Sequence, residues 1–74
     1  MYKYHVVDEV IYESATSYHK DFERTTYLSF EAAFNKYNLL KELNERIFSV
    51  SNQWSVKLYI ETDPDEAWTL IIES

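Results

Sequence analysis

An α+β domain in the order β-β-α-β-β is what the sequence predicts, with one helix packed on one face of a mainly antiparallel four-stranded sheet. Two observations predict it. Apolar residues alternate with period two near both ends of the chain, and between them one segment of about 18 residues carries apolar residues at helical spacing. No Gly/Ser-rich tract or repeat divides the 74 residues, so residues 1–74 read as a single domain.

Residues 2–13 read as a long strand. Tyr2, Tyr4, Val6, Asp8, Val10 and Tyr12 fall on one face; Lys3, His5, Val7, Glu9, Ile11 and Glu13 fall on the other. Asp8 interrupts the more apolar set, which suggests a bulge or twist near Asp8-Glu9. Residues 14–19 are polar and read as a loop. Residues 20–28 read as a second strand, with Phe22 and Leu28 in one phase and Tyr27 in the other.

Ser29 is placed as a helix N-cap, with Glu31 in the first turn suited to the positive end of the helix dipole. The helix is expected to run to about Phe48. Phe30, Ala33, Phe34, Tyr37, Leu40, Leu43 and Ile47 form its apolar arc, which Leu39 and Leu43 widen beyond what one sheet face covers. Asn44 falls within this arc and is expected to be partly exposed near the helix end. Residues 49–53 link to a third strand, 54–62, in which Trp54, Val56, Leu58 and Ile60 alternate with Ser55, Lys57, Tyr59 and Glu61. Asp63-Pro64-Asp65-Glu66 is a turn, with Pro suited to its first corner. The fourth strand, 67–73, sets Trp68, Leu70 and Ile72 against Ala67, Thr69, Ile71 and Glu73.

Composition narrows the function classes. The chain has no Cys, which rules out disulfides and thiolate metal sites within it. It has no Gly, where average usage would give roughly five. Dinucleotide and P-loop motifs need Gly so that backbone N–H groups reach phosphates, and neither is built here by its usual means. A net charge of −6 and a pI of about 4.7 argue against a direct nucleic-acid binder or an anionic membrane surface. The longest wholly apolar runs are three residues, as in Leu70-Ile71-Ile72, so neither a membrane-spanning helix nor a secretory signal is read. The expected setting is cytoplasmic.

Candidate chemistry is sparse. Glu61, Asp63, Asp65 and Glu66 form an acidic turn of hard oxygen ligands, but Glu66 stands where a calcium loop needs Gly and Pro64 stiffens the turn. It reads as a solvated hairpin turn. His5 and His19 have no histidine partner at helical ligand spacing and no nucleophile elbow beside them; His5 reads as a surface residue and His19 as a loop residue. Asp8 is the one carboxylate set on an apolar face, where it marks a bulge or pairs with a nearby Lys or N–H. No catalytic, cofactor-binding or metal-binding residue is assigned, and no cofactor is expected.

If the helix covers the even face of the first strand, the odd face presents Val7, Ile11, Tyr27, Tyr59 and Ile71 beside Lys3, Glu9, Lys57, Glu61 and Glu73. An apolar centre with a charged rim has the make-up of an interface. The leading reading is therefore a non-enzymatic protein-interaction module with a protein partner, self-associating, with a dimer favoured. The alternatives are a small homo-oligomeric structural or regulatory protein, or a small-ligand binder with an aromatic pocket between helix and sheet around Trp54, Trp68 and Tyr37. The compact acidic chain, its tyrosine-rich start Tyr2-Lys3-Tyr4 and its β-β-α-β-β order resemble small early proteins of bacteriophages, including anti-restriction and anti-CRISPR inhibitors. That resemblance implies a protein that occupies a host or defence protein in the host cytoplasm, with acidic groups standing in for nucleic-acid phosphates.

Overall fold

In the computed structural model, which describes residues 2–13, 16–47 and 53–74, four strands form one antiparallel sheet in the order β2-β1-β3-β4. The elements are β1 (Lys3–Glu13), β2 (Tyr18–Tyr27), α1 (Phe30–Ile47), β3 (Gln53–Glu61) and β4 (Thr69–Glu73). β1–β2 and β3–β4 are sequential antiparallel pairs, and the central contact is β1 against β3. Phe48 and the link 49–52 lie outside the described residues, as do Ser14 and Ala15 of the first loop.

The helix begins where the sequence places its cap. Ser29 Oγ accepts the N–H of Ala32 at 3.4 Å, and the Ser29 carbonyl accepts from Ala33 at 3.1 Å. The first bond occupies a first-turn donor that has no partner within the helix, and the second is the first rung of the helix's own ladder. From there Ala33 and Tyr37 turn onto the sheet, one helical turn apart. They close a core with Val6, Val56 and Leu58, of which the three aliphatic side chains are fully buried. Tyr4, Phe30, Phe34 and Tyr37 form an aromatic file along its edge, with successive ring centroids 5.7, 5.5 and 6.3 Å apart. The Tyr37 hydroxyl hydrogen-bonds Ser74 Oγ, which ties the helix to the far edge of the sheet.

Asp8 and Asn44 answer each other. Asn44 is buried, not partly exposed as expected, and its Nδ2 donates to Asp8 Oδ1 at 2.8 Å. The β1 ladders to both neighbours run through Asp8-Glu9 in continuous register, so the expected bulge there is absent. A polar side chain on the helix meets the carboxylate, and the backbone has no need to deform. Among the described residues, no buried side-chain N or O lacks a hydrogen-bond partner.

Two strand limits differ from the sequence reading by two residues, and others by one. β2 starts at Tyr18, so Tyr18 and His19 belong to the sheet and not to the loop. β4 starts at Thr69, because Ala67 and Trp68 leave the ladder. The register also breaks between Leu58 and Tyr59: Ile72 faces Leu58 while Leu70 faces Tyr59, which leaves Ile71 as the extra residue. This bulge reverses the face of everything before it in β4.

The result is a thin molecule. Its radius of gyration is 13.7 Å and its extents are 45 × 24 × 15 Å. A compact domain of this length would have a radius near ~11 Å. Among the described residues no second layer covers the sheet face opposite the helix.

Candidate functional site: the open face of the sheet

Residues paired directly across an antiparallel ladder share a face, so the registers fix what the open face contains. From β1 come His5, Val7, Glu9 and Ile11. Opposite them stand Thr26, Arg24, Phe22 and Lys20 of β2 on one side, and Tyr59, Lys57, Ser55 and Gln53 of β3 on the other. Tyr27 faces Tyr4 and packs against the core on the helix side, so it is not part of this face as expected. The reason is parity: even β1 residues meet odd β2 residues but even β3 residues.

Trp68 covers one end of this face. It was expected between helix and sheet; the bulge places it on the opposite side, so the aromatic pocket proposed with Trp54 and Tyr37 does not form. Its indole stacks on His5 with centroids 3.7 Å apart and planes 8° from parallel. Tyr59 tilts against it at 5.9 Å, and the Arg24 guanidinium lies 5.3 Å from the ring centroid. A cation over an indole is attracted by the ring quadrupole. One side chain from the β3–β4 connection thus reaches residues of three strands.

His5 is the residue that sequence reasoning misplaced most. It is buried, at 4% exposure, where a surface position was expected. Glu61 Oε1 lies 2.8 Å from Nε2, and Thr26 Oγ1 lies 3.0 Å from Nδ1. A carboxylate only accepts, so Nε2 carries the proton that faces Glu61, and the Thr26 hydroxyl pairs with Nδ1. Both ring nitrogens and the ring face are therefore engaged. The arrangement fixes the imidazole as a platform for Trp68. Alternation alone gave no sign of it, because the cover comes from a segment more than 60 residues away in sequence.

Beside Trp68 lies an open depression of about 470 Å³. Val7 forms its buried floor; Phe22, Tyr59, Ala67 and Trp68 give apolar walls, and Glu9, Lys57 and Glu66 stand at the rim. Phe22, which was not singled out from sequence, is the most exposed of these aromatics at 63%. Two of the rim charges are balanced by neighbours: Lys20 Nζ lies 3.3 Å from Glu9, and Lys57 Nζ lies 3.3 Å from Glu73. The Glu73 carboxylate, by hydrogen bond first, raises the Lys57 ammonium above its ordinary range, with Tyr59 adding to the same effect.

The remaining expected site residues divide. Val7 and Tyr59 meet in the depression. Ile11 is half-buried further along β1, and Ile71 is the exposed bulge residue with no register partner. The acidic turn is split. Glu61 turns inward to His5, with a side chain only 14% exposed. Asp63 Oδ1 accepts the Asp65 N–H at 2.9 Å, its carbonyl accepts the Glu66 N–H at 3.1 Å, and Asp63, Asp65 and Glu66 are exposed. Among the described residues no three His, Asp or Glu side chains are grouped so as to hold a metal ion. None of the described helices is long and apolar enough to cross a membrane.

The fold and this site define a two-layer α+β domain with one sheet face left open around a fixed tryptophan. Comparison with protein-family models, curated proteins and solved structures finds no match to this chain.

Proposed function

We propose that this domain acts by binding a protein partner through the open sheet face, with Trp68, Tyr59, Val7 and Phe22 as the apolar centre of the contact. The single observation that supports the reading is the depression itself: an apolar floor and aromatic walls inside a rim of Glu9, Lys57 and Glu66. Aromatic anchors within a polar rim are the make-up of binding hot spots. The surface area agrees. The chain exposes 5265 Å², about a tenth more than the ~4,800 Å² expected for a compact monomer of this mass. In its finer form the reading makes the partner a host protein of a bacteriophage, with Asp63, Asp65 and Glu66 beside the groove meeting its basic groups.

The test uses a surface residue whose change leaves the core alone. The wild-type chain, immobilised, should retain a defined protein from the lysate of the organism that makes it. Phe22→Asp should lose that protein, while Leu43→Asp on the helix should keep it. Equal capture by Phe22→Asp removes the open face as the contact, and no specific capture by the wild type removes the reading.

A second reading has its own observation. Leu39, Leu43 and Ile47 are 58%, 46% and 59% exposed and lie in one stripe along the helix. Glu42 and Arg46 flank a shallow hollow with Leu39 and Leu43. Two copies laid antiparallel across Leu43 would set Leu39 on Ile47 and each Glu42 near the other copy's Arg46. That gives a dimer which leaves the open face free, and Leu43→Asp should abolish it in sedimentation equilibrium.

A further inference from the structure

β2 is an edge strand of ten residues, and among the described residues nothing pairs with its outer side. An exposed edge of this length is a template for another strand. Most of it is solvent-exposed. At its centre the sequence Lys20-Asp21-Phe22-Glu23-Arg24 is a charge palindrome: basic, acidic, apolar, acidic, basic. Lys20, Phe22 and Arg24 stand on the open face with Ile11, Glu9 and Val7, while Asp21 and Glu23 stand on the helix face with Val10 and Asp8.

This order has a definite consequence for a second copy. A two-fold axis between antiparallel β2 strands must bring each face against the same face. Centred on Phe22, it sets Lys20 against Arg24 and Asp21 against Glu23, twice each. Centred on Asp21 or Glu23, it sets a carboxylate against its own copy; centred on Lys20 or Arg24, a cation against its own copy. Like charges directly opposite are destabilising in a sheet. Every two-fold register within the palindrome thus sets at least one pair of like charges directly opposite.

The same pattern has one complement. A strand that reads acidic, basic, apolar, basic, acidic sets an opposite charge against each of the four, competing with Glu9 for Lys20, with His19 for Asp21 and with the Trp68 ring for Arg24, and because the pattern is palindromic it does so in either direction. We infer that β2 is a docking edge for an extended segment of another protein with this acid–base–apolar–base–acid pattern, added to the sheet as a fifth strand. Main-chain hydrogen bonds would supply affinity and the four charge pairs would select the sequence. The apolar residue of the incoming strand lies beside Phe22, next to the depression. The inference rests on the reading that the domain binds a protein, and it names the chemistry of the bound segment.

The test needs no lysate, so its failure is distinct from failure of the open-face reading. A labelled peptide Thr-Asp-Lys-Val-Lys-Asp-Thr is titrated with the wild-type chain by fluorescence anisotropy. The control, Thr-Lys-Asp-Val-Asp-Lys-Thr, has identical composition and zero net side-chain charge, so attraction to the chain's overall charge cancels. The first peptide should bind at least tenfold tighter, and the preference should shrink with added salt, because exposed pairs are screened. In a second arm, Lys20→Glu with Asp21→Lys makes the edge self-complementary about Phe22. Amide protection across residues 18–27 should then rise with protein concentration in this variant and not in the wild type. Equal binding of the two peptides, no binding of either, or a double variant with no concentration-dependent protection in β2 each overturns the inference.

Discussion

On the helix side of the sheet, Val6, Val56 and Leu58 lie fully buried under Ala33 and Tyr37. On the opposite side, His5 and Val7 are nearly as buried, yet over His5 lies a single indole from the β3–β4 connection. The first side is closed by a regular element that sets Ala33 and Tyr37, one turn apart, on the sheet beneath it. The second is closed by one side chain at one end and left open at the centre. Burial on the first side rests on aliphatic packing; on the second it rests on ring stacking, a cation over the ring and two hydrogen bonds to a buried imidazole. The same strands thus present a closed face and an open face, and the difference lies in what the connections bring over them.

The largest way to break this comparison is Leu58→Ala. It removes a fully buried side chain from the core and should cost about 2–5 kcal/mol. A domain of this size has a total stability of only ~4–11 kcal/mol, so the variant should melt about 8–40 °C lower or fail to fold. Chemical denaturation followed by far-UV circular dichroism measures it, and a loss under about 1 kcal/mol would show that stability does not rest on the helix side.

Next comes the polar contact inside the helix side. Asn44→Leu strands the Asp8 carboxylate, and Asp8→Val strands the Asn44 amide; each should cost about 1–3 kcal/mol. The double variant should cost less than the sum of the two, since replacing both partners removes the unpaired group. Additive losses in the denaturation cycle would mean that the 2.8 Å bond contributes nothing of its own.

Trp68→Ala should be milder on stability, about 1–2 kcal/mol, because the indole is only partly buried and its pair contacts are each worth ~0.5–1.5 kcal/mol. Its larger effect should be local. The His5 imidazole proton resonances should lose the upfield ring-current shift of a stacked indole, while those of Tyr37 stay unchanged. If Tyr37 moves as well, the two faces are coupled and the contrast between them weakens.

The smallest effect is at the rim. Glu73 raises the Lys57 pKa, so the pair's contribution is present below the ordinary lysine value and fades as pH rises through the raised one. Both groups are solvent-exposed enough that salt should screen it. In an NMR titration at alkaline pH, Glu73→Gln should move the Lys57 midpoint down toward ordinary lysine, with the melting temperature at neutral pH nearly unchanged. A midpoint that does not move would place the cause elsewhere.

Much of this fold is legible in the sequence because its signals are local. The alternation of Trp54 to Ile60, the Ser29 cap and the spacing of Ala33 and Tyr37 each follow from one segment's own period, and each is found in place. The candidate site was legible only in part. Val7 and Tyr59 were recognised as its members, but Tyr27 was given to it wrongly and Phe22, Arg24 and Trp68 were left out. Tyr27 was assigned by the phase of its own strand, yet its face is decided by whether it meets an even or an odd residue of β1. Trp68 was assigned by alternation through Leu70 and Ile72, and one extra residue at the bulge breaks that alternation.

The sequence by itself determined the element order, the helix cap and which residues alternate, together with the lack of Gly and Cys that removes several chemistries. Only the tertiary structure decided that His5 is a buried platform, that Asn44 meets Asp8, and that Trp68 lies over the open face. The physical reason is the range of the interaction. Period and capping are set within a few residues of one segment, whereas face, register and cover depend on how distant segments meet, and a shift of one residue there sends a side chain to the other side of the sheet.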